Sequence, residues 1–335
     1  MEHLSRRTRL KRPLLLALVF ASAVCYGGVG RVPSCAQDAQ DDDEIVRVAT
    51  DLVVLNVTAT NAAGEYVHGL ERANFKVYED GREQQITNFT REETPFTAAL
   101  LLDVSGSMEG RVSMARSAAI RFLDGLRAED TAAVYSFHMK VEQVQDFSQS
   151  RDLAPLAYNL KAKGETALHD AIVQAATDLS RRPEKRRAII VLSDGADTRS
   201  AASSDKALSA ALEANATIYT VDMADKVPGS FNASTAAGVL REYAAKSGGR
   251  FVPTPGGRAL REAFAEILEE LSNQYTIGYR PSNRAEDGRW RTIEVKVDRS
   301  DVKARTRRGY RLTKKAKSKG VAKSAESESE KVSRP

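Results

Sequence analysis

The chain has 335 residues, 42% of them hydrophobic and 28% charged, with a formal net charge of +5, which fits a soluble globular protein of one or two domains with a sizeable core. The basic excess sits at the ends: residues 1–36 hold six Lys/Arg and one acid, residues 304–335 hold eleven and three, and the body 37–303 has 33 basic against 41 acidic residues. An acidic body with basic ends is not a nucleic-acid footprint, so no nucleic-acid partner is expected.

The N-terminus reads as a targeting segment. Arg6, Arg7, Arg9, Lys11 and Arg12 precede the apolar run 14–24, which is too short to span a bilayer comfortably. Ser34-Cys35-Ala36 offers small residues for cleavage after Ala36. Residues 1–36 are therefore read as a signal peptide, and membrane contact is expected only if this leader is retained. Both cysteines, Cys25 and Cys35, lie in it, so the cleaved chain would have no disulfide or thiolate metal site. Ser5-Arg6-Arg7-Thr8-Arg9-Leu10-Lys11 resembles the twin-arginine export signal, with Arg9 where an aromatic is usual. The expected location is periplasmic, cell-surface or secreted.

Residues 37–44 are acidic and polar, a linker. Residues 45–95 form a β segment. A strand is predicted over 52–60, then a turn at Asn61-Ala62-Ala63-Gly64, then an alternating stretch 74–81 ending in Asp-Gly, a hairpin signal, with 85–90 as the returning strand. This is too little β structure to hold a core alone. From Thr97 strands alternate with helices. Strands are predicted over 98–102, 131–137, 141–147 (an edge strand), 188–192, 217–222 and 250–252, and helices over 112–126, 167–179, 203–214, 234–246 and 258–271. The expectation for 96–272 is an α/β, Rossmann-like fold: a doubly wound, mostly parallel sheet with helices on both faces. Residues 273–313 return to β, with strands over 275–280, 290–297 and 302–311. They should pair with 45–95 in a small β-sandwich, with the α/β unit inserted between the two segments. Residues 314–335 are Lys, Ser, Ala and Glu with almost no apolar content, a composition expected to be a disordered basic tail.

The chemistry gathers at Leu100-Leu101-Leu102-Asp103-Val104-Ser105-Gly106-Ser107-Met108. An apolar strand ends there in three oxygen-bearing side chains at alternate positions, Asp103, Ser105 and Ser107. Such oxygens suit a hard divalent cation, but three cannot fill an octahedron. Two later stretches can add ligands: Gly164-Glu165-Thr166-Ala167-Leu168, which opens a helix, and Ile189-Ile190-Val191-Leu192-Ser193-Asp194-Gly195, a second apolar strand ending in an acid. In open parallel sheets ligands bind at such strand ends. The alternative is a strand-end turn with an Asx or Ser cap and no metal.

Asp-x-Ser-x-Ser, then Thr166, then Asp194 resembles the metal-ion-dependent adhesion site of von Willebrand factor type A (VWA) domains. The flanking Tyr78-Glu79-Asp80-Gly81 and Gly309-Tyr310 resemble a bacterial group of exported VWA-related proteins. The resemblance implies that Ser105, Ser107 and Thr166 contact Mg²⁺ (or Ca²⁺ or Mn²⁺) directly, while Asp103 and Asp194 act through water or at longer range. It also implies an open coordination position that accepts an Asp or Glu carboxylate from a protein partner. Glu165 replaces the small residue common before the threonine; turned inward it would fill that position, turned outward it is a solvated acid. Asp197 and His169 are candidates for the site rim, and Asp170 for a helix N-terminal acid.

The leading expectation is an exported, metal-dependent protein-binding or adhesion module that is not an enzyme. One alternative is an envelope scaffold or assembly factor whose VWA-like domain docks without metal. The other is a hydrolase built from Ser107, His169 and Asp194, but no nucleophile elbow or phosphate loop supports it.

Overall fold

The computed structural model describes residues 52–91, 94–155, 157, 160–224, 231–253 and 257–312. The leader, the linker 37–44 and the tail 314–335 lie outside the described residues. β1 (Val53–Asn61) sends Val53, Leu55 and Val57 inward. β2 (Phe75–Glu79) and β3 (Arg82–Gln84) form a hairpin through Asp80 and Gly81, at φ 48° and 77°. Two positive φ values in succession are what a tight turn matched to strand twist requires, and Asp-Gly supplies them.

The returning strand is β3, not 85–90. The buried Gln84 holds a corner: its amide nitrogen donates to Ser282 Oγ (3.1 Å), and its amide oxygen accepts from Ser282 N (2.9 Å). After it the chain crosses to a second sheet as β4 (Ile86–Thr90).

The α/β unit follows as β5 (Phe96–Asp103), α1 (Val112–Asp124), β6 (Thr131–Phe137), β7 (Val141–Ser148), α2 (Leu168–Ser180), β8 (Arg186–Ser193), α3 (Ser204–Glu213), β9 (Ala216–Asp222), α4 (Phe231–Ser247), β10 (Phe251–Pro253) and α5 (Gly257–Ser272). Its sheet runs β10-β9-β8-β5-β6-β7 and is parallel except for β7 at the edge. All eight residues of β5 are buried, as expected of a strand covered on both faces. α1 and α5 cover one face, where Phe122 meets Phe264 edge-on (centroids 6.1 Å). Leu168, Ile172 and Leu179 of α2, with α3 and α4, cover the other. The strand order reverses at β5, which places a crevice beyond the carboxyl ends of β5 and β8.

The chain then adds β11 (Tyr275–Tyr279), β12 (Trp290–Val297), β13 (Val302–Arg305) and β14 (Gly309–Arg311). Two four-stranded antiparallel sheets, β13-β1-β11-β4 and β14-β12-β2-β3, enclose a core that includes Leu55, Phe75, Val77, Ile277 and Val295. The strands before and after the α/β unit therefore interleave in one sandwich. The stretch 302–311, expected as one strand, is two. Thr306 Oγ1 donates to Asn56 O (2.7 Å), buried Arg307 reaches Leu212 O (2.9 Å), and Arg308 N donates to Lys246 O (3.1 Å). These bonds draw 306–308 out of the ladder and onto the α/β unit.

The two parts also share a buried polar cluster. Glu270 of α5 is fully buried and accepts from Tyr219 Oη (2.8 Å) and Thr58 Oγ1 (3.3 Å); it pairs with Arg305 (2.5 Å) and Arg250 (3.3 Å). Buried Arg186 donates to the carbonyls of Thr94, on the β4–β5 connection, and Leu271, in the last turn of α5, so it ties together the two chain passages between the parts.

Candidate metal centre

Three loops meet beyond the carboxyl ends of the central strands, and backbone hydrogen bonds lace them together. Val104 N donates to Phe137 O (2.9 Å), Lys163 N to Val104 O (2.9 Å) and Gly106 N to Gly164 O (2.9 Å). The third loop joins through Thr198 N and Arg199 N, both donating to Thr166 O (3.0 and 2.9 Å). Thr166 N in turn donates to Thr198 Oγ1 (3.0 Å). The residues expected to act together, Asp103, Ser105, Ser107, Thr166 and Asp194, are therefore held on neighbouring, cross-linked loops.

Two glycines permit this approach. A Cβ on Gly106 would stand 3.3 Å from Gly164 O. Gly195 sits at φ +82°, where a Cβ would lie 2.6 Å from Ala236 O of α4. A side chain there would be strained and would displace the turn that carries Asp194.

Ser105 Oγ and Ser107 Oγ are 3.1 Å apart. Two oxygens at about 2.1 Å from one octahedral ion, at right angles, are about 3.0 Å apart, so the pair fits adjacent coordination positions. Ser105 and Thr166 are buried and Ser107 is exposed, so one side of the cluster opens to solvent. Among the described residues, no hydrogen bond engages the Thr166 hydroxyl, and no three His, Cys, Asp or Glu side chains converge as metal ligands. The donor set is hydroxyl-rich and suits a hard cation rather than a thiophilic or imidazole-seeking one.

Asp103 supplies charge from beneath. It is fully buried; Oδ1 accepts from Ser105 N (2.9 Å) and Oδ2 from Ser193 Oγ (2.6 Å). Burial pushes its pKa up to about 6, against the pull of the Ser105 and Ser193 hydrogen bonds, and the negative charge of Asp194 adds to the rise. Asp194 is half-buried and accepts from Ala196 N (3.1 Å). Two carboxylates share this end of the sheet, and among the described residues neither forms an ion pair. A bound divalent cation would relieve that charge.

The rim is built differently from a reactive centre. Glu165 is about half exposed and faces Arg199 (3.8 Å). His169 Nδ1 lies 2.8 Å from Tyr243 Oη, and burial lowers the His169 pKa, with Asp197 and Asp170 opposing. Asp197 caps α2 from outside: Oδ2 accepts from His169 N (3.0 Å), and Ser200 Oγ accepts from Asp170 N (3.1 Å). Asp170 returns the bond, accepting from Ala201 N and Ala202 N (both 2.9 Å). It sits in the first helical turn as expected, and it also fixes the next loop. Ser107 bonds with Ser105, and among the described residues no hydrogen bond joins Ser107 to His169. The Ser107–His169–Asp194 combination is not assembled.

Sequence reasoning passed over Ser193, Thr198 and Tyr243. Ser193 had a usable signal. β5 and β8 align Leu102 with Leu192, so the residue beside Asp103 is Ser193. Thr198 and Tyr243 reach the site only through tertiary contact and had no such signal.

Residues 98–196 match the von Willebrand factor type A domain family. Three solved structures are among those similar to parts of this chain. The von Willebrand factor domain of the type V pili tip protein Mfa5 from Porphyromonas gingivalis has 14% identity and a TM-score of 0.45, over 53% of this chain and 95% of that one. A von Willebrand factor type A protein from Catenulispora acidiphila has 14% identity and a TM-score of 0.44, over 74% and 76%. An aerotolerance-related membrane protein from Bacteroides fragilis has 15% identity and a TM-score of 0.42, over 53% and 98%. No curated protein matches the chain.

Proposed function

We propose that this chain, whose residues 98–196 match the von Willebrand factor type A domain family, is an exported protein-binding module that holds a divalent cation, Mg²⁺ or Ca²⁺ or Mn²⁺, and binds a partner's Asp or Glu carboxylate. The observation that carries this reading is the Ser105–Ser107 hydroxyl pair at 3.1 Å, exposed at Ser107, beside the buried carboxylate of Asp103, which among the described residues has no ion-pair partner. When bound, the cation supplies a Lewis-acidic position for an external carboxylate.

Ser105, Ser107 and Thr166 are the direct ligands in this reading. Asp103 and Asp194 supply charge and orient water, as outer groups around a metal do. With neutral hydroxyls as the direct protein ligands, the cation keeps an appetite for an anionic partner. Glu165, turned to Arg199, leaves the open position free. Export rests on the leader 1–36; among the described residues no helix is long and apolar enough to cross a membrane.

The test uses Mn²⁺ as a paramagnetic reporter. Water-proton relaxation should be enhanced in the Mn²⁺-loaded chain and should fall as acetate displaces a bound water, while acetamide should change it little. No enhancement, or equal effects of acetate and acetamide, would contradict an open carboxylate-binding position.

A further inference from the structure

A second charged feature lies far from this centre. A cleft of about 610 Å³ opens where the sandwich meets the α/β unit, and its lining holds four arginines, Arg241, Arg250, Arg305 and Arg308, and no acid. Ser247, Gly248 and Gly249 lead from α4 into the amino end of β10. The cleft is therefore at the opposite end of the parallel sheet from Asp103 and Asp194.

The arginines fall into two pairs. Arg305 and Arg250 are anchored on Glu270 (2.5 and 3.3 Å), and Arg305 also donates to Gly248 O and Gly249 O (both 2.6 Å). Gly248 and Gly249 allow this close junction, since a Cβ on Gly248 would lie 2.5 Å from Arg307 N and one on Gly249 would meet Ile218 O. Arg241 and Arg308 are exposed, and among the described residues neither has a carboxylate partner. Arg241 lies over Phe251, its guanidinium 4.5 Å from the ring centroid, a contact that limits its motion. Phe251 belongs to β10, the edge strand of the six-stranded sheet.

We propose that this cleft is a second binding site, for an acidic polypeptide segment in extended conformation, with Arg241 and Arg308 as its main carboxylate contacts. Three features favour it. Planar guanidinium groups match carboxylates two bonds at a time. The edge strand β10 contributes Phe251 to the wall, and an extended chain can pair with a sheet edge. The volume lies within the range of ligand clefts and exceeds what a single small ion needs. Binding here requires no metal, because the site shares no residue with the hydroxyl cluster.

The experiment is fluorescence anisotropy of a labelled oligoglutamate peptide with the full chain in EDTA, comparing the parent, R241E/R308E, and R258E/R289E. The last is a charge-matched control on side chains 85% and 86% exposed, and the basic tail is common to all three. R241E/R308E should weaken binding by about tenfold or more, since two charge-assisted contacts become repulsive, while R258E/R289E should leave it within about twofold. Both altered chains should melt close to the parent, because the four side chains are exposed and the contacts they lose, among them Arg241 over Phe251 and Arg258 with Glu262, are surface contacts. Equal loss in both variants, or none in R241E/R308E, would overturn the proposal. So would complete displacement of the peptide by inorganic phosphate at equal concentration. Sedimentation with anionic vesicles lost in R241E/R308E, without peptide binding, would assign the cleft to membranes instead.

Discussion

Without divalent cation at about pH 8, the Asp103→Asn chain should be more stable than the parent, by up to about 3 kcal/mol. Asp103 is fully buried, and burial raises its pKa to about 6 from an ordinary 3.8. The folded state thus holds this proton until about pH 6, while the unfolded chain releases it near pH 4. In that window the folded state binds more protons, so stability falls as pH rises, and above it the full cost of the buried charge is present. The substituted amide would avoid that cost and keep a carbonyl oxygen for Ser105 N, while Ser193 Oγ can accept from its new N–H. The advantage should vanish below about pH 4, where both side chains are neutral. Magnesium should close that gap at a hundredfold excess over Kd, where the parent gains about 2.7 kcal/mol, and reverse the ranking at a thousandfold, where it gains about 4.1, with nothing comparable for the variant. Thermal melts at a series of pH values, with and without Mg²⁺, read all of this. A variant less stable than the parent at about pH 8 without metal would mean that the Ser105 and Ser193 hydrogen bonds fully offset burial, leaving no charge for a cation to relieve.

The Glu270→Ala chain should lose about 3 kcal/mol, a fall in thermal midpoint of roughly 6–12 °C for a body of this size. Glu270 is fully buried and receives Tyr219, Thr58, Arg305 and Arg250. Removing it takes the carboxylate from Arg305, which keeps Gly248 O and Gly249 O, and from Arg250, which keeps Glu266 (2.5 Å), and leaves a tyrosine hydroxyl and a threonine hydroxyl without this acceptor. The cost is placed at the low end of that for a broken buried pair, because Arg250 and Arg305 are each 37% exposed and can recover water. Glu270→Gln should fall in between, since it keeps an acceptor for Tyr219 but no charge for the arginines. Neither change should alter the Mg²⁺ response, because the cluster is at the amino end of the sheet. An unchanged midpoint in Glu270→Ala would show that the sandwich and the α/β unit are not fastened there.

The sheet and its candidate centre were legible because they rest on strong local signals. A run such as 98–102 has few alternatives to a strand buried on both faces. The oxygen-bearing triplet follows directly from it, so the position of Asp103 in the fold comes with the strand. The interleaving of the flanking β segments was legible for a different reason, since neither could bury a core alone. What escaped depends on tertiary partners. The sheet switch after Gln84 is set by Ser282, almost 200 residues away, and the break at Thr306–Arg308 by Asn56, Leu212 and Lys246. Glu270 left a trace that is clear in hindsight: it lies three residues after Ile267 and seven after Ala263, on the buried stripe of α5. A glutamate on an apolar stripe is a buried charge that needs a partner. The cap that Asp197 places on α2 left no such trace, because the helix start at Ala167 carries no capping side chain of its own.

The most direct test of the metal centre is calorimetric titration of MgCl₂ into the metal-stripped full chain, run beside Thr166→Val and Asp194→Ala. The parent should bind one equivalent of Mg²⁺. Thr166→Val removes one hydroxyl and keeps the shape of the buried side chain, so binding should weaken strongly while the apo melt stays close to the parent's. Asp194→Ala should abolish binding and leave the apo fold intact, because the side chain sits at a strand end and among the described residues accepts a single hydrogen bond, from Ala196 N. No heat of binding in the parent, or unchanged binding in both variants, would contradict the assignment of Ser105, Ser107, Thr166, Asp103 and Asp194 to a metal site.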